Sequence, residues 1–113
     1  ACDVAVVAGG VTLYEACAVG VPVVALAVVA AQRPAIADFA VRGAAIDAGA
    51  LMDGPIAIGR AAEGVARLLG DWRARRRRSS LARNIVDGQG ARRVASHIRA
   101  LGRNRASQRS QRV

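Results

Sequence analysis

The stretch DVAVVAGGVTLYEACAVGVPVVAL, residues 3–26, decides the fold. Two valine-rich runs flank a segment that opens on paired glycines and closes on Gly20-Val21-Pro22. Asp3 to Val7 is short, β-branched and bounded by glycine, the pattern of a strand buried on both faces. Ala8 to Val11 reads as a turn. A helix is predicted from Thr12 through Val19, with Gly20 as its stop and Pro22 just beyond, where it cannot continue the helix. Val23 to Ala27 is the next buried strand. Inside this unit Thr12-Leu13-Tyr14-Glu15 matches a capping box. In that motif the threonine hydroxyl accepts from the amide three residues on, and the glutamate accepts from the threonine amide.

Working outward, a loop carrying Gln32 and Arg33 leads to Pro34, well placed in a first helical turn, and that helix runs through Arg42 to Gly43. Ala44 to Ile46 is a third, short strand, and Asp53-Gly54-Pro55 is a turn. Ile58, Ala61, Ala62, Val65, Leu68 and Leu69 recur at helical spacing, predicting a helix over 58–69. Two further helices are predicted over 72–85 and 91–101, separated by Asp87-Gly88-Gln89-Gly90, with a polar, frayed end after them. Strands alternating with helices imply an α/β domain with a Rossmann-like parallel sheet and right-handed crossovers. Ligands in such sheets bind beyond the carboxyl ends of the strands, where both the glycine pair and Gln32 fall.

The bulk of the chain agrees with one unit. At 113 residues and 53% hydrophobic it is near the common size of a single domain. Aromatics make up 3%, so the core must be built from Ala, Val and Gly on closely packed elements. The stretch Ala16 to Ala31 carries no charge but is short of the roughly 20 apolar residues a membrane span needs, and Pro22 interrupts it. No basic region precedes an apolar one at the amino end, so a cytoplasmic location is expected. The chain opens without methionine, directly on a strand-like run, and reads as a piece of something longer. Cys2 and Cys17 lack metal-ligand spacing and have no neighbouring histidine, so free, buried thiols are expected, with no metal and no cofactor.

Charge is split. Residues 1–70 carry four arginines against six acids, whereas residues 71–113 carry thirteen against two. All 17 basic residues are arginine. The run Trp72-Arg73-Ala74-Arg75-Arg76-Arg77-Arg78 and the tail arginines are the kind of patch that attracts nucleic-acid phosphates, which makes nucleic-acid binding a competing class of function. One Trp, one Tyr and one Phe supply no stacking platform, and a solvated helix face explains the run more simply. A truncated domain that folds without a ligand is a third reading.

The chemistry concentrates at Gly9-Gly10-Val11-Thr12. Glycines allow the main chain to approach a ligand closely, and the first amides of the following helix point outward with the positive end of its dipole. That arrangement suits a diphosphate. Neither G-x-G-x-x-G nor G-x-x-x-x-G-K-[ST] is present, so dinucleotide and P-loop readings lack their fingerprints. Spacing alone favours a capping role for Glu15, and capping and ligand binding can coexist at one helix terminus.

An ordered series extends the glycine loop: Ala8 to Glu15, Gly20-Val21-Pro22, Gln32-Arg33-Pro34, Gly43-Ala44-Ala45 and Val86 to Val94. It resembles the carboxyl-terminal part of the UDP-sugar hydrolases of pseudaminic acid biosynthesis and the related spore-coat polysaccharide biosynthesis protein G. These are similar in turn to MurG-type glycosyltransferases of the two-domain GT-B fold. The resemblance runs from about residue 2 to 101. It implies that residues 1–102 are part of a GT-B carboxyl-terminal domain; the residues after it, 103–113, read from their own composition as a basic, disordered tail. It also implies that Gly9, Gly10, Val11 and Thr12 hold a nucleotide diphosphate, that Glu15 bonds the ribose hydroxyls and that Gln32 contacts the sugar or its phosphates. The implied reaction is attack of water on the anomeric carbon of a UDP-sugar with release of UDP, and a glycosyltransferase domain is the alternative. Many relatives carry serine or threonine where this chain has Val11, and the hydrolases carry asparagine where it has Ala31. The family's catalytic histidine lies in an amino-terminal domain that this chain lacks. UDP or a UDP-sugar and that missing domain are therefore the expected partners, the 113 residues alone are expected to be inactive, and His97, a lone helical histidine, is not expected to be catalytic.

Overall fold

The structure of the protein, a computed structural model, describes residues 2–111. Three strands and five helices follow in the order β1 (Ala5–Ala8), α1 (Val11–Val19), β2 (Val23–Ala27), α2 (Arg33–Val41), β3 (Ala45–Ala50), α3 (Pro55–Gly70), α4 (Trp72–Ile85) and α5 (Gly90–Gln111). Single 3-10 turns at Ala30–Gln32 and Leu51–Asp53 lead into α2 and α3. The sheet is parallel with order β1-β2-β3, Ala5 lying opposite Val23 and Val23 opposite Ala45. The fold is therefore α/β with a Rossmann-like parallel sheet, as the alternation of apolar runs and helical stretches implied.

Both faces of β2 are covered, which is why its sequence is an unbroken apolar run. Val23, Ala25 and Ala27 face α1 and α2, where they pack with Leu13, Cys17, Ile36 and Phe39. Val24 and Leu26 face α3, where they meet Ala61, Val65 and Leu68. Small residues set the spacing of this second layer: a Cβ on Gly64 would stand 3.1 Å from Val24 Cγ2 and 3.3 Å from Ile46 Cγ2. Burying a leucine such as Leu13 or Leu68 contributes about 1.5–3 kcal/mol each. A core poor in aromatics depends on such residues, helped by the edge-on contact of Tyr14 and Phe39 with ring centroids 5.2 Å apart.

Helix ends follow the punctuation of the sequence. Gly20 ends α1 in the left-handed region at φ 77°, its amide returning to Ala16 O and Cys17 O. Pro55 lies in the first turn of α3, so that helix begins three residues before the expected Ile58. β3 is longer than the expected Ala44–Ile46 because it continues through a bulge: pairing with β2 shifts between Ala25 and Ala27, and Gly49 takes φ 95°. α5 runs past Leu101, where a helix over 91–101 was expected to end; the residues beyond it include three arginines and two glutamines, which suit a helix, and hold no proline to stop it. Of the two thiols expected to be buried, only Cys17 is; Cys2 is exposed. Burial pushes the Cys17 thiol up from its ordinary value, which keeps it protonated and unreactive. Among the described residues no helix is long and apolar enough to cross a membrane.

Candidate functional site at the carboxyl edge of the sheet

The loops after β1, β2 and β3 meet at one edge of the sheet. Gly9 is buried there. A Cβ at this position would stand 2.8 Å from Gln32 Cβ and 2.8 Å from Ile36 Cδ1, so the loop after β1 lies against the start of α2 only because residue 9 has no side chain. Gln32 connects the two loops. Its Oε1 accepts from the amide of Val28 at 2.8 Å and, more weakly, from that of Val29 at 3.5 Å. With the oxygen held inward, the Nε2 group faces the glycine loop, 3.7 Å from where a Cβ on Gly10 would stand. A side chain expected to meet a ligand thus also holds the turn after β2, a role that spacing in the sequence does not reveal.

The start of α1 differs from the capping box expected at Thr12 to Glu15. Gly10 is the N-cap, with extended backbone and no side-chain hydrogen bond, and the helix begins at Val11. Thr12 is consequently one residue inside the helix, too far along to cap it, and Glu15 does not reach back. The side chains of Val11, Thr12 and Glu15 are exposed at this edge. Helical hydrogen bonding starts with Leu13 N donating to Gly10 O at 3.1 Å, so the amides of Val11 and Thr12 precede the first helical bond and point out of the helix. Glycine backbone, outward amides and a carboxylate one turn along therefore share one terminus. Its chemistry is that of an anion cradle with an acceptor beside it.

Next to it, at the ends of β2 and β3, lies a pocket of about 310 Å³ lined by Arg33, Asp47, Gly49, Asp53 and Arg60 among others. Arg33 and Asp53 form an ion pair at 3.7 Å. Asp47 accepts from the Gly49 amide at 2.8 Å and Asp53 from the Ala50 amide at 3.2 Å, which leaves each carboxylate with a second oxygen. Sequence reading missed this group. Asp47 and Gly49 lie beyond the point where β3 was expected to end, and the available signal was an Asp and a Gly within one further turn of a strand terminus. The last motif of the ordered series also comes close to α1: Val86, Asp87 and Gly88 line a pocket of about 330 Å³ with Tyr14, Phe39 and Arg42. The Arg93 guanidinium bonded to Asp87 holds that carboxyl below its usual range. His97 is exposed on α5. Among the described residues no group of three or more His, Cys, Asp or Glu is placed to hold a metal ion.

Of the five arginines in the run at the start of α4, Arg73, Arg76 and Arg77 are exposed, while Arg75 and Arg78 are half-buried and, with Arg83 further along the helix, reach backbone carbonyls. Arg75 donates to Leu68 O at 2.7 Å and Leu69 O at 2.9 Å, Arg78 to Gly43 O at 3.2 Å and Ala45 O at 3.3 Å, and Arg83 to Val19 O at 3.2 Å. Two of these three cap the negative carboxyl ends of α3 and α1. Desolvation, then the nearby Arg67 and Arg77, push the Arg78 guanidinium down from its ordinary value. The patch expected to attract nucleic-acid phosphates is thus partly consumed in holding the domain together.

Comparison with known proteins gives one partial match. The chain is 49% identical over 47 residues to the spore coat polysaccharide biosynthesis protein SpsG of Bacillus subtilis (strain 168), a stretch that is 42% of this chain and 14% of that protein. No family model matches, and no solved structure matches. The chain thus has a loose family link to a protein of polysaccharide biosynthesis, carried by less than half of its length.

Proposed function

We propose that this chain is the nucleotide-sugar-binding half of a UDP-sugar hydrolase of surface polysaccharide biosynthesis, which acts together with a domain outside these residues. The observation that carries the reading is the joint placement of Gly9, Gly10 and Gln32. The glycine loop is pressed onto Gln32, whose Nε2 group faces Gly10, next to the terminus where the amides of Val11 and Thr12 point outward. In this reading the diphosphate lies over Gly9 to Thr12 and the Glu15 carboxylate accepts from the ribose hydroxyls. Gln32 Nε2 donates toward the sugar or its phosphate. Strands lie about 4.8 Å apart, so the mixed pocket at Arg33, Asp47, Asp53 and Arg60 is about two strand spacings from the glycine loop, within reach of the sugar end. As UDP leaves, negative charge grows on the diphosphate beside the α1 terminus, and preorganised amides lower that barrier without rearranging. The base that activates water belongs to the other domain, and the chain alone is expected to show no turnover.

Calorimetry with UDP tests the reading, using the parent chain and Glu15→Gln. Because Glu15 caps nothing, the substitution should leave the melting temperature unchanged while weakening UDP about tenfold to a hundredfold, the loss of a charged hydrogen-bond acceptor. Absence of UDP binding by the parent, or equal affinity of the two chains, would overturn it.

A further inference from the structure

α5 is a 22-residue helix whose described side chains are exposed throughout. Its large apolar residues do not scatter. At 100° per residue, Val94, Ile98 and Leu101 fall within about 60° of one another, while Arg92, Arg99 and Arg103 lie on the opposite side. The three apolar side chains are 59%, 63% and 63% exposed. Residues 90–111 contain six arginines and no acid. A basic helix with a segregated apolar stripe has the chemistry of one that lies in a membrane interface, the stripe in the acyl boundary and the arginines among anionic headgroups.

We propose that α5 docks on an anionic lipid surface. Charge complementarity selects this occupant over others. A second copy would need three to four heptads of stripe for a stable coiled coil, whereas this one ends within two and a half turns, where Arg105 falls on the same face. Nucleic acid would be met by the arginines but leaves the stripe in water. At 22 residues the helix is long enough to cross a bilayer, but with six arginines it is too polar to do so, and the contact is one of lying on the surface. The arginines of α5 are also free for it: among the described residues only Arg93 has an acidic partner, Asp87.

Co-sedimentation of the whole chain with vesicles separates the possibilities. Phosphatidylcholine vesicles containing phosphatidylglycerol should bind it and pure phosphatidylcholine vesicles should not, with binding falling as salt rises. The variant Val94→Asn/Ile98→Asn/Leu101→Asn should lose binding. Arg92→Gln/Arg99→Gln/Arg103→Gln should bind about fivefold more weakly for each arginine removed. None of these six residues belongs to either core cluster, so melting temperatures should match the parent. Failure to bind anionic vesicles at low salt would overturn the proposal. So would undiminished binding by the stripe variant, which would mean unspecific charge attraction. Tighter binding to duplex DNA than to the vesicles would also overturn it and restore the nucleic-acid reading.

Discussion

α4 and α5 are both arginine-rich helices, and on paper they are the same kind of segment. In the folded chain they do opposite things. Arg75, Arg78 and Arg83 of α4 reach carbonyls at the ends of α3, β3 and α1 and so tie the last third of the chain to the sheet layer. Among the described residues of α5, Arg93 alone has an acidic partner, and the helix carries its charge into solvent. Helix propensity and composition do not separate the two. What separates them is whether a carbonyl array lies within the length of a guanidinium stem, because a charged donor meeting carbonyls that would otherwise be unpaired is worth far more than one meeting water.

The largest expected effect tests this directly. Arg78→Ala should cost about 2 kcal/mol, since it removes charged hydrogen bonds to two carbonyls in a partly buried place, whereas Arg99→Ala on α5 should stay within about 0.5 kcal/mol. In thermal melts the first should lower Tm by roughly 8–16 °C, and equal Tm values for the two variants would break the distinction. A smaller effect sharpens it. Gly20→Ala places a side chain at φ 77° and against Ser79 Oγ, 2.7 Å from the new Cβ, where Arg83 also packs. The cost should be about 1–2 kcal/mol from the left-handed backbone alone. A double-mutant cycle with Arg83→Ala should show coupling, because both changes disturb the same end of α1; strict additivity would show that Arg83 does not cap it.

The smallest effect concerns the ion pair of Asp87 with Arg93 at the start of α5. Asp87 has its pKa lowered by the Arg93 hydrogen bond, so the bond stabilises the fold above the carboxylate's ordinary value near about 3.9 and its contribution is lost as pH falls through the lower folded value. Both groups are exposed, and the difference in Tm between the parent and Asp87→Asn should be slight at neutral pH and vanish in acid. A difference that persists below about pH 2 would assign the effect to the turn at Asp87-Gly88 rather than to charge.

Much of the geometry of the candidate site was legible in the sequence, and the reasons are local. Gly9 and Gly10 mark a close approach, and Gln32 falls at a strand end whatever the tertiary details. The role of Thr12 and Glu15 was not legible. A capping box and a helix that starts one residue earlier are written with the same letters, and the choice was made where Gly10 took extended backbone as the N-cap. The Asp47 and Asp53 pocket was likewise hidden, because a bulge at Gly49 is needed to carry β3 past Ile46 to that edge.

By itself, then, the sequence determined the order of strands and helices, the parallel sheet and the edge at which the loops gather. Periodicity and glycine or proline punctuation act within a few residues and survive without knowledge of anything distant. Only the tertiary structure decided which arginines hold the domain together and which face solvent. Arg78 finds its acceptors 33 and 35 residues away in sequence and Arg83 its acceptor 64 away. Partners at such separations are chosen by packing, after the local pattern has done its part.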